Sequence, residues 1–117
     1  MDQTNSGVTP PRLPFLPPEQ YGAGMIVSEI RLGPPGGADA PFNASRFTVE
    51  PGCASPVDSH AVREIWMVAE GSGELVYDGR SVRLEAGDVF YFEPPKPHQV
   101  RNDGALTLVI FSVWWKG

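Results

Sequence analysis

The chain contains only two histidines, and their surroundings allow both to bind one metal ion. His60 has Asp58 two residues before it and Glu64 four residues after it, whereas His98 lies much later in the chain. Side chains alternate between the two faces of a strand, so Asp58, His60 and Glu64 would share one face of a regular strand. Burying two carboxylates and two imidazoles is costly unless their charge and polarity are compensated. A single divalent cation would compensate them.

The sequence around these residues has the pattern of an all-β domain. From residue 21 onward, short apolar runs alternate with turn residues, and the dipeptide Asp78-Gly79 is typical of a two-residue hairpin. No stretch of useful length has a helical period. The predicted strands cover residues 25–32, 45–50, 62–68, 73–77, 80–84, 89–92, 98–101 and 106–115. Many short strands at this spacing predict a sandwich or a barrel.

Length and proline content divide the chain into an arm and one domain. The 117 residues fit a single domain with a modest core. Residues 1–20 are polar and Pro-rich, and proline lacks the backbone donor that a central strand needs. We therefore expect an N-terminal arm over residues 1–20, either disordered or extended over the barrel or a neighbouring subunit. The barrel domain is predicted over residues 21–117, and its loop 33–43 is long enough to cover one mouth.

Composition argues against several classes of partner and location. The net charge is −5 and the pI is about 4.9, which disfavours binding to nucleic acid or to anionic membrane surfaces. No apolar run is long enough to span a bilayer, and the N-terminal residues do not form a secretory signal. Cys53 is the only cysteine, so no internal disulfide forms. These features predict a cytoplasmic protein in a reducing compartment.

The spacing around His60 resembles the first sequence motif of the cupin superfamily. That motif consists of a glycine, five residues, His-any-His, three or four residues, a glutamate, six residues and a second glycine. The residues that follow this spacing are Gly52, Asp58, His60, Glu64 and Gly71. Only one residue type differs, because Asp58 stands where the family usually has its first histidine.

The spacing around His98 resembles the second cupin motif. Gly87 lies eleven residues before His98 and Asn102 lies four residues after it, as in the family. Glu93 and Pro95 replace the proline and glycine that are usual between them. Together the two motifs imply a double-stranded β-helix, the jelly-roll barrel of the cupins.

The resemblance also implies that His60, Glu64 and His98 bind a divalent metal ion. Asp58 is either a fourth ligand or a general acid/base beside a three-ligand face with open positions, an arrangement used by non-haem iron enzymes. Carboxylate and imidazole ligands suit Fe2+, Mn2+, Zn2+ and Ni2+. A cupin that has lost its metal and uses Asp58 or His60 as a proton carrier is a further alternative.

Aromatic residues near these positions predict a pocket for a small-molecule substrate. Trp66 has the same strand parity as Glu64, so we expect it to face inward beside the metal. Tyr91 and Trp114 are further candidate pocket residues. The last predicted strand is apolar on both faces, so its outer face needs cover. The cupin resemblance favours a homodimer, in which a second subunit would provide that cover.

The leading functional hypothesis is a metal-dependent enzyme that acts on a small organic molecule, with Asp58 or Glu64 as the catalytic proton carrier. O2-dependent oxygenase chemistry of the dioxygenase type and non-redox isomerase, cyclase or lyase chemistry both fit these residues. A non-catalytic cupin that binds a small molecule is the alternative.

Overall fold

The protein folds into two antiparallel β-sheets that pack face to face. The structure is a computed structural model that describes residues 9–33 and 40–117, and the regular elements within these ranges are all strands. The strands are β1 (Glu19–Gln20), β2 (Met25–Glu29), β3 (Asn43–Val49), β4 (Arg63–Glu70), β5 (Ser72–Tyr77), β6 (Arg80–Glu85), β7 (Val89–Phe92), β8 (His98–Arg101) and β9 (Leu108–Trp115). This confirms the predicted all-β fold.

The larger sheet has the strand order β1-β2-β3-β9-β4-β7 and the smaller sheet has the order β6-β5-β8. All neighbouring strands are antiparallel. Alternate side chains point between the sheets and form the core, as expected from the period of two along a strand. The buried core residues are Phe47, Val49, Trp66, Val68, Leu75, Leu84, Phe92, Val100, Leu108 and Ile110.

Turn residues set the register of the strands. Asp78 and Gly79 join β5 to β6 with φ angles of 49° and 81°, the two positive values that a type I′ hairpin requires. The predicted hairpin is therefore confirmed. Gly71 separates β4 from β5 with a φ of 87°, and a Cβ atom there would lie 3.0 Å from the Cα of Leu108. Both the backbone angle and the close approach explain why this position is a glycine.

The described part of the N-terminal arm lies along the edge of the larger sheet. Glu19 and Gln20 pair with β2, and Phe15 forms a bridge with Ile30. The guanidinium of Arg46 lies 4.5 Å from the centre of the Phe15 ring, on the outer face of the sheet. This part of the arm is extended over the barrel. Residues 34–39, the centre of the loop predicted to cover one mouth, lie outside the described residues.

The outer face of the larger sheet carries exposed apolar side chains. Met67, Val89 and Tyr91 are 39%, 65% and 44% exposed, respectively. A second copy of the chain would bury this face, and the homodimer stays a prediction. No helix in the described ranges is long and apolar enough to cross a membrane.

Asn102 ties three segments together next to the second motif. Its side chain is buried, and its amide group donates hydrogen bonds of 2.8 Å to the backbone oxygens of Val49 and Leu106. Its Oδ1 accepts a hydrogen bond of 3.0 Å from the backbone N–H of Gly104. This asparagine therefore satisfies three backbone groups at once.

Replacement of Asn102 by alanine is expected to lower the free energy of unfolding by roughly 2–4 kcal/mol, because it leaves buried backbone groups without partners. Urea denaturation followed by tryptophan fluorescence measures this change. Asn43→Ala, at an exposed position of β3, is the control and should change stability by less than about 0.5 kcal/mol. Equal stability of the two variants would contradict a structural role for Asn102.

Candidate metal centre and pocket

A backbone bridge places the two motifs side by side. The N–H of Asp58 donates to the oxygen of His98, and the N–H of His98 donates to the oxygen of Asp58, both at 2.9 Å. Strand β4 begins only at Arg63, so Asp58 and His60 lie before it. The prediction that they share the face of one regular strand with Glu64 is therefore wrong. The side chains converge because the bridge and the following bend direct them inward.

The four side chains that the sequence predicts as metal ligands lie together. Nε2 of His60 is 3.0 Å from Oε1 of Glu64 and 3.7 Å from Oδ2 of Asp58. Nε2 of His98 is 3.2 Å from the same Glu64 oxygen. Two ligand atoms at right angles around an ion, each about 2.1 Å from it, lie about 3 Å apart. The separations of 3.0 and 3.2 Å that involve Glu64 therefore match the edges of a coordination shell, and the Asp58 oxygen lies slightly farther away at 3.7 Å.

The hydrogen bonds of His60 also fit a metal-binding imidazole. Nδ1 lies 3.1 Å from the backbone oxygen of Val62, which can only accept, so Nδ1 carries a proton. In the neutral ring, Nε2 then presents a lone pair to the Glu64 carboxylate at 3.0 Å. Two acceptors at this distance need a proton or another cation beside them. Metal-binding histidines commonly donate their second N–H to a carbonyl in this way, so the residues fit a divalent ion.

Packing orients the second imidazole. The His98 side chain is only 2% exposed, and its ring stacks on Phe92 with centroids 4.4 Å apart and an angle of 11° between the planes. The edge of Trp66 lies against the same ring at 5.3 Å. Nδ1 of His98 is buried and has no hydrogen-bond partner among the described residues. Aromatic contacts, rather than a hydrogen bond, therefore direct Nε2 toward Glu64.

Glu64 is buried and surrounded by donors. Its Oε2 accepts a hydrogen bond of 2.9 Å from the indole N–H of Trp66 and another from the hydroxyl of Ser112. Burial alone would raise the pKa of this carboxyl group, but hydrogen bonds from His98, Ser112 and Trp66 outweigh it and lower the pKa to about 2. Glu64 is therefore ionised at neutral pH. An ionised carboxylate with a lowered pKa is a weak base, which favours the predicted ligand role of Glu64, while its predicted role as a proton carrier stays a prediction.

Asp58 differs from Glu64 in its surroundings. Its side chain is 61% exposed, compared with 11% for Glu64, and its Oδ2 lies 3.7 Å from Nε2 of His60. An accessible carboxylate next to the predicted ligands can exchange protons with solvent and with a bound molecule. Of the two carboxylates, Asp58 is therefore the one suited to proton transfer.

The predicted ligands line a pocket of about 490 Å³ between the two sheets. Trp66 and Trp114 also line it, in the positions predicted for them. Tyr91 does not. Because Phe92 is the inward residue of β7, Tyr91 lies on the opposite face, where its hydroxyl accepts a hydrogen bond of 2.6 Å from Arg63. This corrects the placement of Tyr91 in the substrate pocket.

Comparison with known proteins agrees with this geometry. The family described as "Cupin domain" matches residues 45–114, which is more than half of the chain. The chain belongs to the cupin family. This cupin is similar to a cupin 2 conserved barrel domain protein of Salinispora arenicola, with 34% identity, a TM-score of 0.72, and coverage of 80% of this chain and 76% of that one. The predicted family is thus confirmed.

Two further relatives of this cupin carry functional names. A candidate sugar phosphate isomerase of Acidithiobacillus ferrooxidans is 25% identical, with a TM-score of 0.58 and coverage of 67% of this chain and 52% of that one. The mannose-1-phosphate guanylyltransferase of Klebsiella pneumoniae is 27% identical over 73 residues. That match covers 62% of the cupin described here but only 16% of the guanylyltransferase.

Sequence reasoning missed several pocket residues of the cupin. Ser112 is buried and contacts Glu64, while Tyr21 and Glu29 line the pocket from the β1–β2 edge of the larger sheet. One signal was present for Ser112, since it is a polar residue that shares strand parity with Trp114 in an otherwise apolar run. Glu29 carried no comparable signal, because its inward direction depends on how β2 pairs with β3, and Tyr21 lies in the connection between β1 and β2, where no period predicts a direction.

Proposed function

We propose that this cupin is a metal-dependent enzyme that acts on a small organic molecule. One observation carries the proposal: Nε2 atoms of His60 and His98 lie 3.0 and 3.2 Å from a single oxygen of Glu64, inside a pocket. His60, His98 and Glu64 would hold the ion, with Asp58 beside them. This mixture of imidazole and carboxylate suits Fe2+, Mn2+, Zn2+ or Ni2+.

When bound, the ion would supply Lewis acidity toward an oxygen-bearing substrate or, as Fe2+, a site for O2. The remaining requirements fall on the side chains of the chain itself. Glu64 is held by Trp66 and Ser112 through one oxygen, so the other oxygen keeps a fixed direction. The aromatic walls exclude water around the reacting group. Asp58 takes or returns a proton at its carboxylate oxygen.

The names of the two functional relatives refer to sugar phosphates, but we do not extend those substrates to this chain. Phosphate binding relies on arginine, lysine or clustered backbone N–H groups. The described residues that line this pocket include neither arginine nor lysine. We therefore propose a substrate without a phosphate group.

The proposal is tested by metal analysis followed by a substrate screen. Protein purified without added metal, and protein reloaded with each of the four ions, is expected to hold about one ion per chain. Screening small oxygen-bearing compounds in air and under nitrogen then separates the two reaction classes. Turnover that persists anaerobically with zinc identifies non-redox chemistry, whereas an absolute need for Fe2+ and O2 identifies an oxygenase. Failure to hold any of the four ions would contradict the proposal.

Asp58→Asn is expected to separate proton transfer from metal binding. The amide keeps an oxygen of the same shape but cannot accept a proton at neutral pH, so turnover should fall by about 10²–10⁴-fold. Metal affinity should change by less than about tenfold, since His60, His98 and Glu64 remain. Asp103→Asn, which alters an exposed aspartate paired with Arg83, is the control. Unchanged turnover in Asp58→Asn would contradict the proton-transfer role.

A further inference from the structure

The charges that line the pocket are all negative. Glu29 projects from the inward face of β2, and Asp58 and Glu64 lie at the predicted metal centre. The pocket lining that the structure describes includes no arginine or lysine. Fixed cations are what proteins use to bind phosphate or carboxylate groups of a substrate. An anionic substrate would therefore meet repulsion here without a compensating side chain.

None of the basic residues of the chain belongs to the described lining of the pocket. The nine are Arg12, Arg31, Arg46, Arg63, Arg80, Arg83, Lys96, Arg101 and Lys116. Four of them have outer-surface partners: Arg46 lies over Phe15, Arg63 donates to Tyr91, Arg83 pairs with Asp103 and Arg101 pairs with Glu74. The sequences of residues 1–8 and 34–39 contain neither lysine nor arginine.

The pKa of Tyr21, which lines the pocket, reflects the negative charges around it. Its pKa is raised, first by its hydrogen bond to Glu19, then by burial, and then by the negative charges of Glu19, Glu29 and Asp58. These carboxylates lie on different parts of the fold, and each raises the pKa of the Tyr21 hydroxyl. A cationic group entering the mouth would be stabilised by this potential, whereas an anionic group would be destabilised.

The walls of the pocket favour a planar apolar body. Phe47, Trp66 and Trp114 line it along β3, β4 and β9. Ring faces attract both planar groups and organic cations. The substrate would thus contact these rings beside the metal centre, with the Glu29 carboxylate on the β2 side of the pocket.

The charge of the loaded pocket identifies the class of molecule that would complement it. A divalent ion neutralises two of the three carboxylates, so one negative charge remains. We propose that the pocket selects a substrate that carries an oxygen ligand on a planar body and one basic nitrogen, and that Glu29 is the residue that binds this nitrogen. This inference rests on the proposed function, because the net charge of the pocket was counted with the divalent ion bound.

Three catechols of matched shape test the inference: dopamine, ethylcatechol and dihydrocaffeate, whose side chains are cationic, neutral and anionic. Binding to the full chain is measured by calorimetry, with and without zinc. Dopamine is expected to bind about tenfold more tightly than ethylcatechol, and dihydrocaffeate about tenfold more weakly. The order should hold in both forms, since removing zinc makes the pocket more negative. Equal or tighter binding of dihydrocaffeate would overturn the inference.

Glu29→Gln identifies the residue responsible. In the zinc-loaded protein the preference for dopamine over ethylcatechol should fall to about threefold or less, because the ion neutralises the two carboxylates that remain in the pocket lining, Asp58 and Glu64. Glu70→Gln removes the same charge from the exposed end of β4, outside the pocket, and should leave the tenfold preference intact. An unchanged preference in Glu29→Gln would contradict the role of Glu29. Zinc stoichiometry, measured separately, tests the proposed function without affecting this comparison.

Discussion

Replacing both histidines by alanine is expected to lower the affinity for zinc by at least about a thousandfold. His60 and His98 supply the two nitrogen ligands, and the remaining carboxylates bind zinc weakly without them. Both Nε2 atoms also face one oxygen of Glu64, so the double substitution removes two contacts of this carboxylate. Competition with a chromogenic chelator measures the affinity of His60→Ala/His98→Ala, and circular dichroism checks that the sheets are retained.

Glu70→Ala serves as the control for this experiment, since it removes an exposed acidic side chain at the end of β4. Its zinc affinity should equal that of the unchanged chain. If the double histidine variant also bound zinc with full affinity, the ion would be held elsewhere and the assigned ligands would be wrong.

Glu64→Gln is expected to weaken zinc binding by about a thousandfold and to lower the free energy of unfolding by roughly 2–4 kcal/mol. Three donors surround the carboxylate, namely the His98 imidazole, the Trp66 indole and the Ser112 hydroxyl, and Nε2 of His60 also lies 3.0 Å from it. An amide has one accepting oxygen and places its NH₂ group against some of these donors. Both the site and the fold therefore lose interactions. Chelator competition and urea denaturation measure the two effects.

The same carboxylate gives stability a defined pH dependence. Its pKa is about 2 in the folded chain and 4.5 as the ordinary value, so its contribution is complete above about pH 4.5. As the pH falls toward 2, the unfolded chain takes up the proton first and this stabilisation is lost, by roughly 3 kcal/mol in total. Glu64→Gln should lack this component. Identical acid sensitivity of the two proteins would contradict the surroundings assigned to Glu64.

Ser112→Ala tests one of the hydrogen bonds that orient the Glu64 carboxylate. Loss of a hydrogen bond that orients a metal-binding carboxylate commonly costs 10–100-fold in metal affinity. Ser112→Thr keeps the hydroxyl and should recover most of that loss. A serine that only fills space would give the opposite order, because alanine fits its site without strain.

The sequence predicted most of the fold because alternation and turns are local. Strands β7 and β8 have the predicted ends, and the Asp78-Gly79 hairpin forms where the dipeptide indicated. The direction of β7 was not predictable in the same way. All four of its residues are apolar or aromatic, so the pattern did not distinguish the inward Phe92 from the outward Tyr91.

The candidate site was predictable in its members but not in its chemistry. Spacing brought His60, Glu64 and His98 together, although the bridge at Asp58 replaced the regular strand that the prediction assumed. The ionisation of Glu64 depends on Ser112, which lies 48 residues away in sequence. Such a contact exists only after β4 and β9 have paired. The ionisation of a carboxyl group is therefore set by tertiary neighbours that the sequence does not place.

A crystal structure of zinc-loaded protein, with diffraction measured on both sides of the zinc absorption edge, tests the central claim most directly. One anomalous peak per chain is expected, about 2 Å from Nε2 of His60, Nε2 of His98 and Oε1 of Glu64. A peak at another position, or zinc bound in solution with no peak inside the pocket, would contradict the assignment of this site as a metal centre.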